Sequence, residues 1–194
     1  MQKRIWVVGV ILLGISRLAL AAPINIVAAE NFYGELAQEI GGKEVKVQSI
    51  ISNPDADPHL FTTSPSTSKA LAQAQIIIYN GADYDSWIGQ MLATVDKSKV
   101  TIINVADLVG VKSGANPHLW YKPETFPKLA QVLADKLIQL EPQNKAQIQA
   151  NLKQFITEHN QVNQAIQQTK TKYAGTPVTA TEPVYGYMAD AMGL

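Results

Sequence analysis

Short apolar runs alternate with longer segments of helical period along most of this chain. Ile24-Asn25-Ile26-Val27-Ala28-Ala29 is nearly continuous in apolar character, the pattern of a strand buried on both faces. Asn31 to Ile40 follows as a short helix, stopped by Gly41-Gly42, and Val45 to Ile51 forms a second strand. A proline-rich loop from Asn53 to Thr63 leads to Ser64-Pro65, an N-cap oxygen followed by a first-turn proline, which opens a helix. Ile76 to Tyr79 is a third strand, Tyr84 to Val95 a helix, and Val100 to Val105 a fourth strand. The order βαβαβαβ predicts a parallel sheet with helices on both faces.

A second loop, Asp107 to Lys122, precedes an amphipathic helix marked by Phe126, Leu129, Ala130, Leu133, Leu137 and Leu140. Pro142 ends it. Gln143 to Lys172 contains neither glycine nor proline and predicts a helix of about 30 residues, roughly 45 Å long. That is more than one lobe needs, so it is expected to act as a spine along two bodies. Pro177 to Ala180 is expected to form a fifth strand, and Tyr185 to Met192 to begin a helix. The predicted fold class is therefore α/β: an N-terminal lobe with a four-stranded parallel sheet flanked by helices, a long spine helix, and the start of a second α/β lobe. The boundaries are 22–141 for the first lobe, 142–174 for the spine and 175–194 for the start of the second. A strand and half a helix cannot bury themselves, so most of the second lobe is expected to be missing.

The first twenty-one residues follow a different rule. Lys3 and Arg4 precede an apolar run from Ile5 to Leu20 that is interrupted by Gly14, Ser16 and Arg17, and Ala19 and Ala21 place small residues where a signal peptidase cuts. Residues 1–21 are read as a cleaved signal peptide, which places the mature protein in the periplasm. Arg17 lies inside the only stretch that approaches a membrane span. The whole chain has sixteen Lys+Arg and sixteen Asp+Glu, and removing Lys3, Arg4 and Arg17 leaves the mature part slightly acidic, against a nucleic-acid partner. There is no cysteine, hence no disulfide framework and no lipid-anchor cysteine.

The candidate chemistry lies in a near-repeat, Asp57-Pro58-His59-Leu60 and Asn116-Pro117-His118-Leu119. Each copy follows the carboxyl end of a strand, where open α/β sheets place their ligands. In each, an Asx side chain can close a local turn and a proline restricts the backbone before the histidine. The chain has three histidines and two share this context. Two imidazoles held at a sheet mouth suit a borderline transition metal such as Zn, Mn, Fe or Ni. Glu182 is the candidate third ligand, because it follows the fifth expected strand as the histidines follow theirs. His159, between Phe155 and Val162 on the apolar stripe, is read as a packing or surface residue, and Trp87 and Trp120 as core or cleft wall. No dinucleotide fingerprint, Walker loop, nucleophile elbow or H-E-x-x-H is present.

These segments resemble the metal-binding family of ABC-transporter solute-binding proteins, the zinc and manganese receptors. Asp57 to Phe61, Asn80-Gly81 with Trp87 after it, Asn116 to Trp120 and Glu182 to Tyr187 occur in the family's order. The resemblance implies two α/β lobes joined by one rigid helix, with His59 and His118 as ligands from the first lobe and Glu182 as the first ligand from the second. Glutamate at that position leans toward manganese. It implies capture of Mn2+ or Zn2+ by a monomer and delivery to a membrane permease with a cytoplasmic ATPase, without enzymatic activity. Two departures stand out: Lys122 occupies a position that is usually small and polar or acidic, and the family's fourth ligand, an aspartate far along the second lobe, lies beyond Leu194. The same lobe–spine–lobe plan would also serve a receptor for a siderophore or another organic ligand, and a shortened chain would also fit a non-functional remnant.

Overall fold

Four parallel strands, β1 (Ile24–Glu30), β2 (Val45–Ile51), β3 (Ile76–Tyr79) and β4 (Thr101–Asn104), form one sheet in the order β2-β1-β3-β4. The computed structural model describes residues 22–53, 56–93 and 95–194, without the side chain of His59. The expected signal peptide, residues 1–21, lies outside the described residues.

Alternation along the strands sends side chains to two cores. Ile24, Ile26 and Ala28 of β1, with Ile76 and Ile78 of β3, join the cluster built on α1 (Asn31–Gly41) and α5 (Thr125–Leu140), where Leu129, Leu133 and Leu137 are fully buried. Val27, Ala29 and Ile77 point the other way, into a smaller cluster with Ala70 and Leu71 of α2 (Pro65–Gln73) and Ile88 and Leu92 of α3 (Ser86–Leu92). Burial on both faces is why these strands are apolar throughout rather than alternating. Registers such as Ile26 opposite both Val47 and Ile76 fix the relative height of the strand ends. The chain passes from β1 to β2 on one side and returns to β3 on the other, so the carboxyl ends of β1 and β3 flank the sheet's switch point.

Local signals act as expected at α2: Ser64 Oγ accepts from Thr67 N, and Ser64 N donates to Thr67 Oγ1, a reciprocal cap in front of Pro65. Other boundaries shift. β4 ends at Asn104, whose side chain accepts from Ala106 N at 3.0 Å and caps a short helix, α4 (Val105–Val109), inside what was expected to be strand end and loop. α3 is shorter than expected, because Asp85 is occupied with the preceding turn (below).

The long helix is present as α6 (Lys145–Tyr173), 29 residues, or about 44 Å. Its first half packs on α5 and α1 through Ile148, Leu152 and Phe155, and Asn151 Nδ2 donates to the Ile40 carbonyl at 3.0 Å. Its distal half meets α7 (Gly186–Met192). His159 stacks on Phe155 and its Nε2 lies 3.1 Å from the Pro123 carbonyl, the packing role expected of it. The fifth strand is a correction: Thr176 to Ala180 is exposed and belongs to no ladder. A strand's hydrogen bonds are all made to a neighbour, and among the described residues none lies beside this segment. Among the described residues no helix is long and apolar enough to cross a membrane.

α1 lies close on β2 because Gly34 has no side chain; a Cβ there would meet Ser49 Oγ and approach Val47. Gly34→Ala is expected to destabilise the fold by about 1–3 kcal/mol. Gly89 of α3 faces open space, and Gly89→Ala should stabilise by up to about 1 kcal/mol. Urea unfolding midpoints of the two variants check both signs.

Candidate metal centre

Three loops on the carboxyl side of the sheet concern the site: the one after β2, with His59, the one after β3, and the one after β4 and α4, with His118. The β3 loop starts with Asn80-Gly81, the expected strand-to-helix turn. Gly81, Ala82 and Asp83 all have positive φ (75°, 49° and 67°), a conformation that costs about 1–2 kcal/mol for each residue other than glycine. Asp85 holds the turn closed: its Oδ2 accepts from Asn80 N at 2.6 Å and its Oδ1 from Gly81 N at 2.9 Å. Asn80 is fully buried; its Oδ1 accepts from Tyr33 Oη at 2.7 Å and its Nδ2 donates to the Pro117 carbonyl at 2.9 Å. The β3 loop is thereby tied to the residue next to His118.

His118 is half-buried among rings. Trp120 lies edge-on to it at 5.2 Å and Tyr84 at 6.0 Å, and Trp120 also contacts Tyr84 and Phe32. Trp120 is thus a wall of the site, as expected. Burial first, then the carboxyls of Glu30, Asp57 and Asp85, push the Tyr84 phenol up to about 12, so it stays a neutral hydroxyl at physiological pH.

The hydrogen bonds of Asn116 decide which nitrogen of His118 carries the proton. The backbone N–H of His118 can only donate, and it meets Asn116 Oδ1 at 3.0 Å, closing the Asx turn expected from the motif. Asn116 Nδ2 donates to the Pro183 carbonyl at 2.6 Å, so the amide orientation is set from both ends. The Nδ1 of His118, 2.7 Å from the same Oδ1, must then be an N–H, so in the neutral ring the lone pair lies on Nε2. Donation from the second ring nitrogen to an oxygen is how metal-ligating histidines are oriented.

Glu182 is exposed, in extended backbone just before the turn Pro183–Tyr185. Its segment is held against the His118 loop by Asn116 Nδ2 to Pro183, by Tyr187 Oη donating to the Asn116 carbonyl at 2.8 Å, and by Tyr185 packing on Tyr121. Lys122 pairs with Glu124 at 2.6 Å and lies over the Tyr187 ring, joining the same contact. His59 sits in the single turn Pro58–Leu60, closed by Leu60 N to the Asp57 carbonyl, and its side chain lies outside the described residues. Phe61, two residues on, packs at a tilt against Trp87, with ring centroids 4.7 Å apart. Two of the three candidate ligand segments, those of His118 and Glu182, are therefore in direct contact. Among the described residues no three His, Asp or Glu side chains converge on one point.

A cleft of about 480 Å³ opens on the other side of the β3 loop, between Asp83, Asn104 and Ser113, and contains none of the candidate ligands. Within it Asp83 accepts from Ser113 Oγ and Gly114 N, and Asn104 Nδ2 donates to Asp107. The sequence names Asn80 only as part of a turn and gives no role to Asp85, Glu30 or Tyr33. An asparagine directly after the apolar strand Ile76–Tyr79 was the available signal for Asn80.

The chain forms a parallel α/β sheet with a histidine-bearing loop on its carboxyl side and a long helix leading away from it. The sequence profile of zinc-uptake complex component A, periplasmic, matches residues 26–194, and the chain belongs to that family. The manganese ABC transporter substrate-binding lipoprotein scaA of Streptococcus gordonii is 26% identical over 149 residues, 70% of this chain and 48% of that protein. The metal ABC transporter substrate-binding lipoprotein SsaB of Streptococcus sanguinis is 24% identical over 189 residues, 88% of this chain and 60% of that protein. The chain thus spans 48% and 60% of the length of these two relatives. Among solved structures, the metal-dependent lipoprotein YcdH of Bacillus subtilis superposes with a TM-score of 0.79 at 18% identity, over 89% of this chain and 65% of that one. Zn(II)-bound AdcA of Streptococcus pneumoniae gives 0.76 at 21% identity, over 89% of this chain and 38% of that one. At these identities the likeness is one of fold.

Asn116→Ala removes the acceptor shared by both His118 donors and the bond to Pro183. It is expected to convert His118 from the Nδ1–H form to a tautomer mixture, read by 15N NMR of the imidazole, and to raise amide exchange across residues 183–187.

Proposed function

We propose that this chain captures a divalent transition metal, Mn2+ or Zn2+, outside the cytoplasmic membrane and passes it to an ABC-type importer. The observation that carries this reading is the Asn116 clamp, which presents the Nε2 lone pair of His118 at the sheet's carboxyl edge and ties the same loop to the segment of Glu182. Membership of the zinc-uptake family and the metal-transport names of its relatives support the same reading.

In this proposal His59 and His118 supply two imidazoles from the first lobe, residues 22–141. Glu182 supplies a carboxylate from residues 175–194, the start of a second lobe, and residues 142–174 are the spine between them. A hard, charged oxygen beside two nitrogens favours Mn2+ without excluding Zn2+. The chain acts as a periplasmic monomer after loss of residues 1–21, and its partners are a membrane permease and the cytoplasmic ATPase that drives it. The relatives named above are lipoproteins, whereas this sequence contains no cysteine to carry a lipid. The reaction class is binding and release, with no bond made or broken in a substrate.

Elemental analysis after dialysis against mixed Mn2+ and Zn2+ is expected to find one metal per chain, absent from the double variant His59→Ala/His118→Ala. A folded, monomeric sample that retains no metal would sink the three-donor reading. Affinity should also fall on acidification from about pH 6 downward, because imidazole must be deprotonated to bind; equal affinities at pH 5 and pH 7.5 would exclude imidazole ligation. Glu182→His is expected to move the preference toward Zn2+, measured by competition between the two ions.

A further inference from the structure

Glu30 ends β1 at the switch point of the sheet and has no role in the site as described. Glu30 is 2% exposed, and so is Asp85. Asp85 is the carboxyl that acts on Glu30, and its charge disfavours a second charge there. Two buried carboxylates in contact cannot both be charged, so one of them keeps a proton. Their surroundings decide which. Asp85 takes a backbone N–H on each oxygen, from Asn80 and Gly81, and both bonds favour its ionised form. Neither oxygen of Glu30 has a hydrogen-bond partner, and a buried carboxyl in that state is more stable neutral than charged. The titratable groups facing Glu30 are Tyr33 from α1 and Asp85 and Tyr84 from the β3 loop, and none of them is a cation that would hold Glu30 ionised.

We propose that Glu30 is a protonated hydrogen-bond donor in the folded protein, and that its O–H to Asp85 is a positioning contact for the loop that carries His118. The path is short. Protonated Glu30 donates to Asp85, and Asp85 closes the left-handed Gly81-Ala82-Asp83 turn. That turn places Asn80, whose amide holds the Pro117 carbonyl beside His118. Burial first, then Asp85, hold the Glu30 carboxyl well above the usual carboxylate range, as this assignment requires. Only the metal-affinity part of the test below rests on His118 being a ligand.

A carboxyl raised in the native state contributes stability that is complete below its unfolded value, near 4.5, and is lost as pH rises toward its native value. Glutamine at position 30 can still donate to Asp85 but has no proton to lose. The difference in Tm between Glu30→Gln and wild type, both metal-free, is therefore expected to grow in the variant's favour by about 3–5 °C per pH unit above about pH 5 until the native pKa is reached. A difference that does not change with pH overturns the proposal. Should Glu30→Gln fail to fold, infrared spectra of wild type decide: a protonated-carboxyl C=O stretch must persist at pH 7.5, and its absence overturns the assignment. For the positioning half, Glu30→Ala is expected to bind Mn2+ at least about 10-fold more weakly at pH 7, with Glu30→Gln restoring most of that loss. Unchanged Mn2+ affinity in Glu30→Ala overturns the positioning role. If wild type itself binds no Mn2+, the receptor reading fails, and the Tm series and infrared band still decide the protonation of Glu30.

Discussion

A parallel sheet sealed by apolar side chains on both faces leaves its carboxyl edge as the place where polar groups collect, and every functional feature of this chain follows from that constraint. Isoleucines and alanines of β1 and β3 fill two cores at once, so neither face has room for polar chemistry. At the edge the strands stop and the chain must turn, which exposes backbone N–H and carbonyl groups that need partners. Asp85, Asn80 and Asn116 are those partners. Each satisfies backbone groups from a loop and thereby fixes its shape, so the site is built largely from side chain to backbone hydrogen bonds.

This mode of construction has an energetic consequence. Ala82 and Asp83 occupy a backbone region that is unfavourable for them, and the bonds of Asp85 to Asn80 and Gly81 offset that cost. Buried charge-assisted bonds of this kind contribute more than their surface counterparts, and lose more when one partner is removed. The surface ion pair Lys99–Asp96, by contrast, contributes little. The rigidity of the His118 loop therefore rests on a handful of buried polar atoms rather than on the charged surface.

The contact between the His118 loop and residues 182–187 is made of three kinds of interaction: amide to carbonyl, phenol to carbonyl, and ring on ring. Asn116 takes part in two of them and also orients the imidazole. One residue thus couples the orientation of the His118 imidazole to the position of the segment that follows α6. Lys122, which the resemblance marked as a departure, is absorbed by Glu124 and the Tyr187 ring, and its charge is spent on that same contact.

The sequence by itself determined the elements and their order: the strands through short apolar runs, α2 through Ser64-Pro65, α6 through a long stretch without glycine or proline, and the candidate ligands through the doubled Asx-Pro-His motif. These are local signals, readable because they act within a few residues of the chain. It missed α4, whose cap is the last residue of a strand, and it expected a strand at Pro177 to Ala180, where apolar character is present but a pairing neighbour is not. Only the tertiary structure decided that Asn80 would reach Pro117, that Asn116 would reach Pro183, and that Glu30 would meet Asp85, pairs separated by tens of residues. Proton placement on His118 and Glu30 belongs to that second class. It depends on which donors and acceptors arrive from distant loops and on how much water they exclude, and no period or spacing in the sequence encodes either.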